Sequence, residues 1–194
     1  MNKKVFIFIG KSGSGKGTQA KLLIDKLATK NESVYYVSTG DEFRRVFGMN
    51  TYSSNLVKGI VDKGLFCPSF AAVSMWTNAL FRDLKEDEHI IIDGTPRSVS
   101  EAMVLDTLFP FYDAEPIVIY IDVSREWATE RLLGRARHDD TNDGIASRLD
   151  LFESDIVPIV EMYKKRPEIV VHHINGEQSV EAVHSDLMRE LGLN

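Results

Sequence analysis

The stretch KVFIFIGKSGSGKGTQ, residues 4–19, joins an apolar run to a glycine-rich loop and the beginning of a helical pattern. The run VFIFI at 5–9 has the continuous apolar character of a β-strand that is buried on both faces. Four glycines then let the backbone curl with its N–H groups pointing inward: Gly10, Gly13, Gly15 and Gly17. We expect a strand, a tight loop and a helix in direct succession, which is the first unit of an α/β domain.

The same alternation continues along the chain. Further strand candidates are SVYYV (33–37), HIIID (89–93), PIVIYID (116–122) and EIVVHHI (168–174). Segments of helical period lie near 16–29, 53–63, 69–86, 99–108, 124–135, 142–165 and 179–191. This order predicts a five-stranded parallel sheet with helices on both faces, and the helix-rich region 39–85 is a candidate for a small insertion.

Composition excludes several classes of function. The chain has 194 residues and a net charge of −6, which argues against a broad nucleic-acid or membrane surface. Its one cysteine, Cys67, excludes an intramolecular disulfide and a zinc site built from cysteines. The apolar run at the N-terminus is too short for the apolar region of a signal peptide or for a membrane span. We therefore expect a cytoplasmic protein of one domain.

The glycine-rich loop has the features of an anion cradle. Inward backbone N–H groups, a helix N-terminus and the Lys16 ammonium together suit the phosphates of a nucleotide. The spacing resembles a P-loop, whose lysine is normally followed directly by Ser or Thr. Here Gly17 follows Lys16, and the hydroxyl comes one residue later at Thr18.

Four motifs in the same order resemble the adenylate kinase and nucleoside monophosphate kinase family. They are GKGTQ (15–19), STGDEFR (38–44), DGTPR (93–97) and RLLGRARHDD (131–140), the last followed by Arg148. The resemblance extends over residues 5 to about 190. It implies the P-loop NTPase three-layer fold in a single domain, with a small helical NMP-binding insert at about 38–68. It also implies a short lid loop at about 131–141, of the type that has no zinc site.

The resemblance implies a Mg²⁺-dependent phosphoryl transfer from ATP to a nucleoside monophosphate, most simply ATP plus AMP giving two ADP. Such a transfer requires charge neutralisation, alignment and exclusion of water more than covalent help from the protein. The residues implied in catalysis are Lys16, Arg97, Arg131, Arg137 and Arg148. Asp93 would orient Mg²⁺-bound water, and Asp41 is a weaker candidate for the same environment.

Two further sets follow from the resemblance. The implied ATP-binding residues are Gly10, Ser12, Gly13, Ser14, Gly15, Lys16, Gly17, Thr18, Arg131, Arg135 and Gln178. The implied NMP-binding residues are Thr39, Gly40, Arg44, Cys67, Gly94, Arg97, Glu101, Arg137 and Arg148. Asp139 and Asp140 resemble the family's lid pair, with helix capping as the other interpretation.

Three positions depart from the family pattern. Ser12 replaces the loop proline, Thr95 replaces the aromatic residue of DGFPR, and Glu101 occupies the place of a glutamine that reads adenine. An ionised glutamate has hydrogen-bond acceptors only, so it suits guanine better than adenine unless its side chain points to solvent. Thr39 favours AMP, because pyrimidine monophosphate kinases of the family typically have alanine there.

The alternatives therefore lie first within the kinase class, with GMP, UMP, CMP or a deoxynucleotide as acceptor or a broad specificity. A protein that binds nucleotides without catalysis is a different class, disfavoured because Lys16 and the arginines are all present. We expect small-molecule nucleotides as the only partners, with no nucleic acid and no membrane, and a monomeric enzyme.

Overall fold

The computed structural model describes residues 2–135 and 141–194, and of Arg135 only the backbone. Five parallel strands form one sheet: β1 (Lys3–Ile9), β2 (Ser33–Ser38), β3 (Glu88–Asp93), β4 (Ala114–Asp122) and β5 (Val170–Asn175). Their order in the sheet is β2-β3-β1-β4-β5. The three runs that are most continuously apolar in the sequence, β1, β3 and β4, are the interior strands, as burial on both faces requires.

The helices alternate with these strands. Those before the third strand are α1 (Lys16–Ala28), α2 (Thr39–Phe47), α3 (Tyr52–Val61) and α4 (Ser69–Asp83). Those after it are α5 (Val99–Asp106), α6 (Leu108–Phe111), α7 (Arg125–Arg135), α8 (Asn142–Leu151), α9 (Val157–Lys164) and α10 (Val180–Glu190). A π-helical turn, Phe152–Ile156, joins α8 to α9. No helix in the described part of the chain is both long and apolar enough to cross a bilayer.

Two apolar cores lie on the two faces of the sheet, which gives the predicted three layers. Alternate residues of β1 enter different cores: Phe6 and Phe8 pack with α1 and α10, whereas Ile7 packs with α4, α5, α6 and α9. The largest buried side chain of the second core is Trp76 of α4. The sheet is thereby fixed between helical layers, and its carboxyl edge is left as the place where loops meet.

The predicted helices differ from the structure at α2 and at the π-helical turn. The motif at 38–44 is the N-terminus of a helix, α2, which the sequence pattern did not indicate. The single helix predicted at 142–165 is interrupted by the π-helical turn, which ends two residues before Pro158. Proline has no N–H to donate to a regular α-helical ladder. Residues 131–135, where the helix predicted at 124–135 overlaps the predicted lid region, belong to the last turn of α7.

Candidate active site

The glycine-rich loop lies at the carboxyl end of the central strand β1. Gly15 is the N-cap of α1 and has a φ of 93°, a left-handed conformation that favours glycine. The Lys16 ammonium lies over the loop, where Nζ donates to the carbonyl oxygens of Gly10 at 2.7 Å and Lys11 at 2.9 Å. The loop, the lysine and the first turn of α1 therefore surround one common space, as the phosphate-cradle interpretation requires.

This space is part of a cleft of about 800 Å³. Four arginines from four different segments line it: Arg44 of α2, Arg97 after β3, Arg131 of α7 and Arg148 of α8. The other predicted site residues in its wall are Ser12, Gly13, Gly15, Lys16, Gly17, Thr18, Gly40, Asp41, Asp93 and Gly94. A chain with an overall charge of −6 thus concentrates cations in one concave region, as polyanion binding requires.

Arg97 is the most constrained of these arginines. Its Nε donates to Gly94 O at 2.9 Å, and its guanidinium stacks over the ring of Phe66 at 4.8 Å. Burial lowers the pKa of Arg97, and the nearby carboxylates of Glu101 and Asp93 oppose that effect. A guanidinium stays protonated at any physiological pH, so Arg97 is a fixed, partly buried cation facing the cleft.

The other arginines approach from the rim. The Arg44 guanidinium pairs with the carboxylate of Asp41 one turn earlier. Arg131 lies over the ring of Trp127 at 4.8 Å, and Arg148 Nε donates to Gly144 O at 3.1 Å. Each contact holds a guanidinium at its own helix, and all three side chains line the cleft.

Asp93 ends β3 beside the phosphate loop. Its Oδ2 accepts a hydrogen bond from the Tyr36 hydroxyl at 3.0 Å, and a Cβ built on Gly17 would lie 3.5 Å from the same oxygen. A carboxylate with hydroxyl neighbours is the hard-oxygen environment that suits Mg²⁺, which keeps several waters and phosphate ligands. Among the described residues, no group of three or more His, Cys, Asp and Glu side chains could enclose a metal ion by itself.

Two linked departures from the family pattern, Thr95 and Glu101, lie next to Arg97. Glu101 is 2% exposed, and its Oε2 accepts from the Thr95 hydroxyl at 3.2 Å and from the Arg97 N–H at 2.9 Å. The alternative that Glu101 points to solvent is therefore wrong. Burial raises the pKa of the Glu101 carboxyl, an effect that these two donors oppose. Thr95 and Glu101 form one hydrogen-bonded unit behind Arg97.

Thr39 and Cys67 lie behind the wall of the cleft. Thr39 is 1% exposed, and its hydroxyl has no hydrogen-bond partner among the described residues. Cys67 packs with Phe43 and the first turn of α4, and burial raises the pKa of its thiol. An unpartnered buried hydroxyl is costly unless a bound molecule completes it.

Some predicted residues are not brought to this cleft. Ser14 is buried within the loop, while Gln178 donates to Asn175 O at 3.0 Å and to Asp186 Oδ2 at 2.9 Å, outside the wall of the cleft. Gly10 instead lines a neighbouring cavity of about 40 Å³ with Arg97 and Arg148. The side chain of Arg135 and the residues Arg137, Asp139 and Asp140 lie outside the described part of the chain.

Two residues with a role here were not predicted from the sequence. Lys11 Nζ donates to Val123 O at 2.9 Å, which ties the phosphate loop to the end of β4. Tyr36 lines the cleft and holds Asp93. The sequence places Tyr36 two residues before Ser38 on a predicted strand. Its hydrogen bond to Asp93 could not be predicted, because it depends on the order of the strands in the sheet.

Comparison with known sequences agrees with this geometry. A sequence model of the adenylate kinase family matches residues 8–168. The curated relatives include an adenylate kinase of Campylobacter concisus, 34% identical over 188 residues, which span 95% of this chain and 95% of the relative. Another, from Oenococcus oeni, is 31% identical over 182 residues, 93% of this chain and 94% of that protein. The chain therefore belongs to the adenylate kinase family of nucleoside monophosphate kinases.

Proposed function

We propose that this enzyme transfers the γ-phosphoryl group of ATP to AMP, with Mg²⁺, to form two molecules of ADP. The observation that carries the proposal is the convergence of the phosphate loop, Lys16 and four arginines on one cleft. Two nucleotides that meet at their phosphates bring several negative charges into that space. Only a site with several fixed cations on opposite walls offsets their repulsion.

Each wall has a distinct task in this reaction. The loop N–H groups and Lys16 hold the outer phosphates of ATP, and Arg131 reaches the same group from α7. Arg44 and Arg97 hold the phosphate of the acceptor, because they lie on the β2–β3 side of the cleft with Gly40 and Gly94. Arg148 lies near Arg97 and stabilises the charge that develops on the group in transit.

Mg²⁺ would be held beside the phosphates by Asp93 through water, with Thr18 as the nearest hydroxyl of the loop. When bound, the ion would neutralise part of the negative charge of the phosphates. Asp41 is less suited to this role, because its carboxylate already pairs with Arg44.

AMP is preferred as the acceptor for two reasons. The buried, unpartnered Thr39 hydroxyl lies near Gly94 and Arg97, where a purine can complete it. Glu101 Oε2 already accepts from two donors of its own chain, which weakens the case that this carboxylate waits for the donors of guanine. GMP is nevertheless the second candidate, because a buried carboxylate adjoins the acceptor wall.

We further propose that residues 38–68 and the region 131–141 close over the nucleotides, since water in the open cleft would hydrolyse ATP. A monomeric enzyme in the cytoplasm is the simplest setting for this reaction.

The test is ADP formation from ATP and Mg²⁺ with AMP, GMP, CMP, UMP, dTMP and the deoxy forms as acceptors. We expect the largest kcat/KM with AMP. A preference for GMP would overturn the choice of acceptor, and the absence of turnover with every acceptor would overturn the kinase reaction itself.

The role of Arg97 is tested in the same assay. Arg97→Ala should lower kcat/KM on the order of 100-fold, because it removes a fixed cation from the phosphates in transit. Near-normal turnover in a folded variant would remove Arg97 from the mechanism.

The variant Glu101→Gln separates two roles of Glu101. A rise in the preference for AMP over GMP indicates that Glu101 reads the base. An equal loss of kcat/KM with both acceptors indicates that Glu101 supports Arg97 through its N–H.

A further inference from the structure

We propose that Tyr36 is a positioning residue that holds the Asp93 carboxylate toward the bound Mg²⁺, in place of the hydroxyl that a regular P-loop has after its lysine. The inference rests on the proposed role of Asp93. It adds to that role a side chain from a different strand, β2, which the family motifs do not include.

The register of the sheet brings the two residues together. Strand β2 runs parallel to β3, with Ser38 opposite Asp93 and Tyr36 opposite Ile91. Tyr36 lies two residues before Ser38 on the same face of the sheet, the face that packs against α1. Its ring therefore extends along β2 toward the end of β3, where its hydroxyl donates to Asp93 Oδ2 at 3.0 Å.

Gly17 explains why the hydroxyl comes from this direction. A Cβ at residue 17 would lie 3.5 Å from Asp93 Oδ2 and 3.8 Å from the Tyr36 hydroxyl oxygen. A serine or threonine at residue 17 would therefore bring its own hydroxyl close to Asp93 Oδ2, the oxygen that the Tyr36 hydroxyl holds here. With glycine at residue 17, Tyr36 supplies the hydroxyl beside this carboxylate.

The chemistry of the phenol suits a fixed donor. A phenol keeps its proton at neutral pH, so the Tyr36 hydroxyl acts as the donor to Asp93. This hydrogen bond restrains one carboxylate oxygen. The carboxylate then points in a fixed direction, as partners of metal-associated carboxylates commonly arrange.

Tyr35 offers a matched control on the same strand. Its hydroxyl also contacts a carboxylate, Asp83 Oδ2 at 3.3 Å, and donates to Ala79 O at 3.1 Å, but on the opposite face of the sheet. Tyr36→Phe and Tyr35→Phe therefore remove the same atom from adjacent residues. Only the first change reaches the phosphate site.

The decisive measurement is a titration of Mn²⁺ into the full-length enzyme with a non-hydrolysable ATP analogue, in which free Mn²⁺ is measured by electron paramagnetic resonance. We expect Tyr36→Phe to weaken Mn²⁺ binding on the order of tenfold, and Tyr35→Phe to leave it unchanged. The Mg²⁺ concentration for half-maximal ADP formation should rise by a similar factor, with the KM for the acceptor unaffected.

A double-variant cycle tests whether Tyr36 acts through Asp93. In the Asp93→Asn background, Tyr36→Phe should add no further loss of Mn²⁺ affinity. The proposal is wrong if Tyr36→Phe binds Mn²⁺ as wild type does, if Tyr35→Phe loses as much, or if the two losses add in full. The titration needs no acceptor, so a wild-type enzyme without ADP formation would overturn the proposed function and still leave this test interpretable.

Discussion

Arg44 and Arg45 are consecutive residues of α2 whose guanidinium groups lie in different surroundings. Arg44 lines the cleft beside Gly40 and Asp41, whereas Arg45 pairs with Glu42 and its side chain is 63% exposed. The helical rotation between consecutive residues, about 100°, is enough to separate them. The pair is therefore a natural comparison between a phosphate-binding arginine and a surface arginine.

We predict that Arg44→Ala raises the KM for AMP on the order of tenfold, because a charge-assisted contact to the acceptor phosphate is lost. The KM for ATP should stay close to the wild-type value. Arg45→Ala should leave both constants unchanged, since exposed ion pairs contribute little. Steady-state kinetics with each substrate varied in turn measures this, and equal effects of the two variants would contradict the assignment.

Single residues also mark the limit of what the sequence could predict. Lys16 and the loop glycines follow from local spacing, because the loop, the strand and the helix are adjacent in the chain. Tyr36 and the Thr95–Glu101 pair do not, because their partners are set by the packing of α5 and by the order of the strands. The two departures that the sequence shows separately, Thr95 and Glu101, are a single hydrogen-bonded unit only in three dimensions.

At the scale of elements, the loop between α3 and α4 meets the first turn of α8 through two glycines. Gly64 has a φ of 71°, and a Cβ on it would lie 2.5 Å from Gly144 O and 2.8 Å from Gly144 Cα. The same Gly144 carbonyl accepts the hydrogen bond from Arg148 Nε. The position of Arg148 over the cleft is thus coupled to the close approach of these two segments.

We predict that Gly64→Ala lowers kcat/KM about tenfold or more, because the new methyl group displaces the carbonyl that orients Arg148 and small misplacements are costly in transfer reactions. The positive φ at residue 64 adds a loss of stability.

Gly59→Ala is the control for this variant. Gly59 lies within α3 with open space where a Cβ would be, so this variant should gain about 0.5–1 kcal/mol of stability and keep its activity. Thermal denaturation and kinetics of both variants check the pair. Normal kinetics of Gly64→Ala would disprove the coupling.

The elements themselves could be predicted to within a few residues where a periodic apolar pattern was present. All five predicted strands are observed, and the three with continuous apolar runs are interior. The π-helical turn at Phe152–Ile156 could not be predicted, because the apolar residues on its two sides keep a helical period through it. Helix α2 was missed although Phe43, Val46 and Phe47 have helical spacing, because only these three of its nine residues are apolar.

At the scale of the whole molecule, His89 links three segments at the N-terminal ends of the strands. It is 1% exposed, its Nδ1 accepts from the Lys4 N–H at 3.1 Å, and Nε2 lies 3.0 Å from Glu32 Oε2. With Nδ1 as an acceptor, Nε2 carries the proton and donates to Glu32. Burial lowers the pKa of His89, Lys3 and Lys4 lower it slightly, and Glu32 opposes them.

We predict that His89 makes the protein less stable in mild acid. The folded state resists protonation of His89, whereas the unfolded state accepts a proton below a pKa of about 6.5. The free energy of unfolding therefore has its full value above that pH and decreases below it. The extra slope should be at most about 1.4 kcal/mol per pH unit. Urea denaturation of wild type and His89→Gln from pH 5 to 8 measures it, and parallel slopes would contradict the prediction.

The order of the strands determines how the chain is exposed while it is being made on the ribosome. The central strand β1 is synthesised first, yet its neighbours are β3, with Val5 opposite Ile90, and β4, with Lys3 opposite Ala114. More than 80 residues of nascent chain therefore emerge before the first strand gains either neighbour. Until then, both edges of the apolar segment VFIFI lack hydrogen-bonding neighbours. Unpaired strands of this kind associate with other chains. Release of chains truncated before residue 88, where β3 begins, should consequently produce aggregates, and chaperone binding should concentrate on β1.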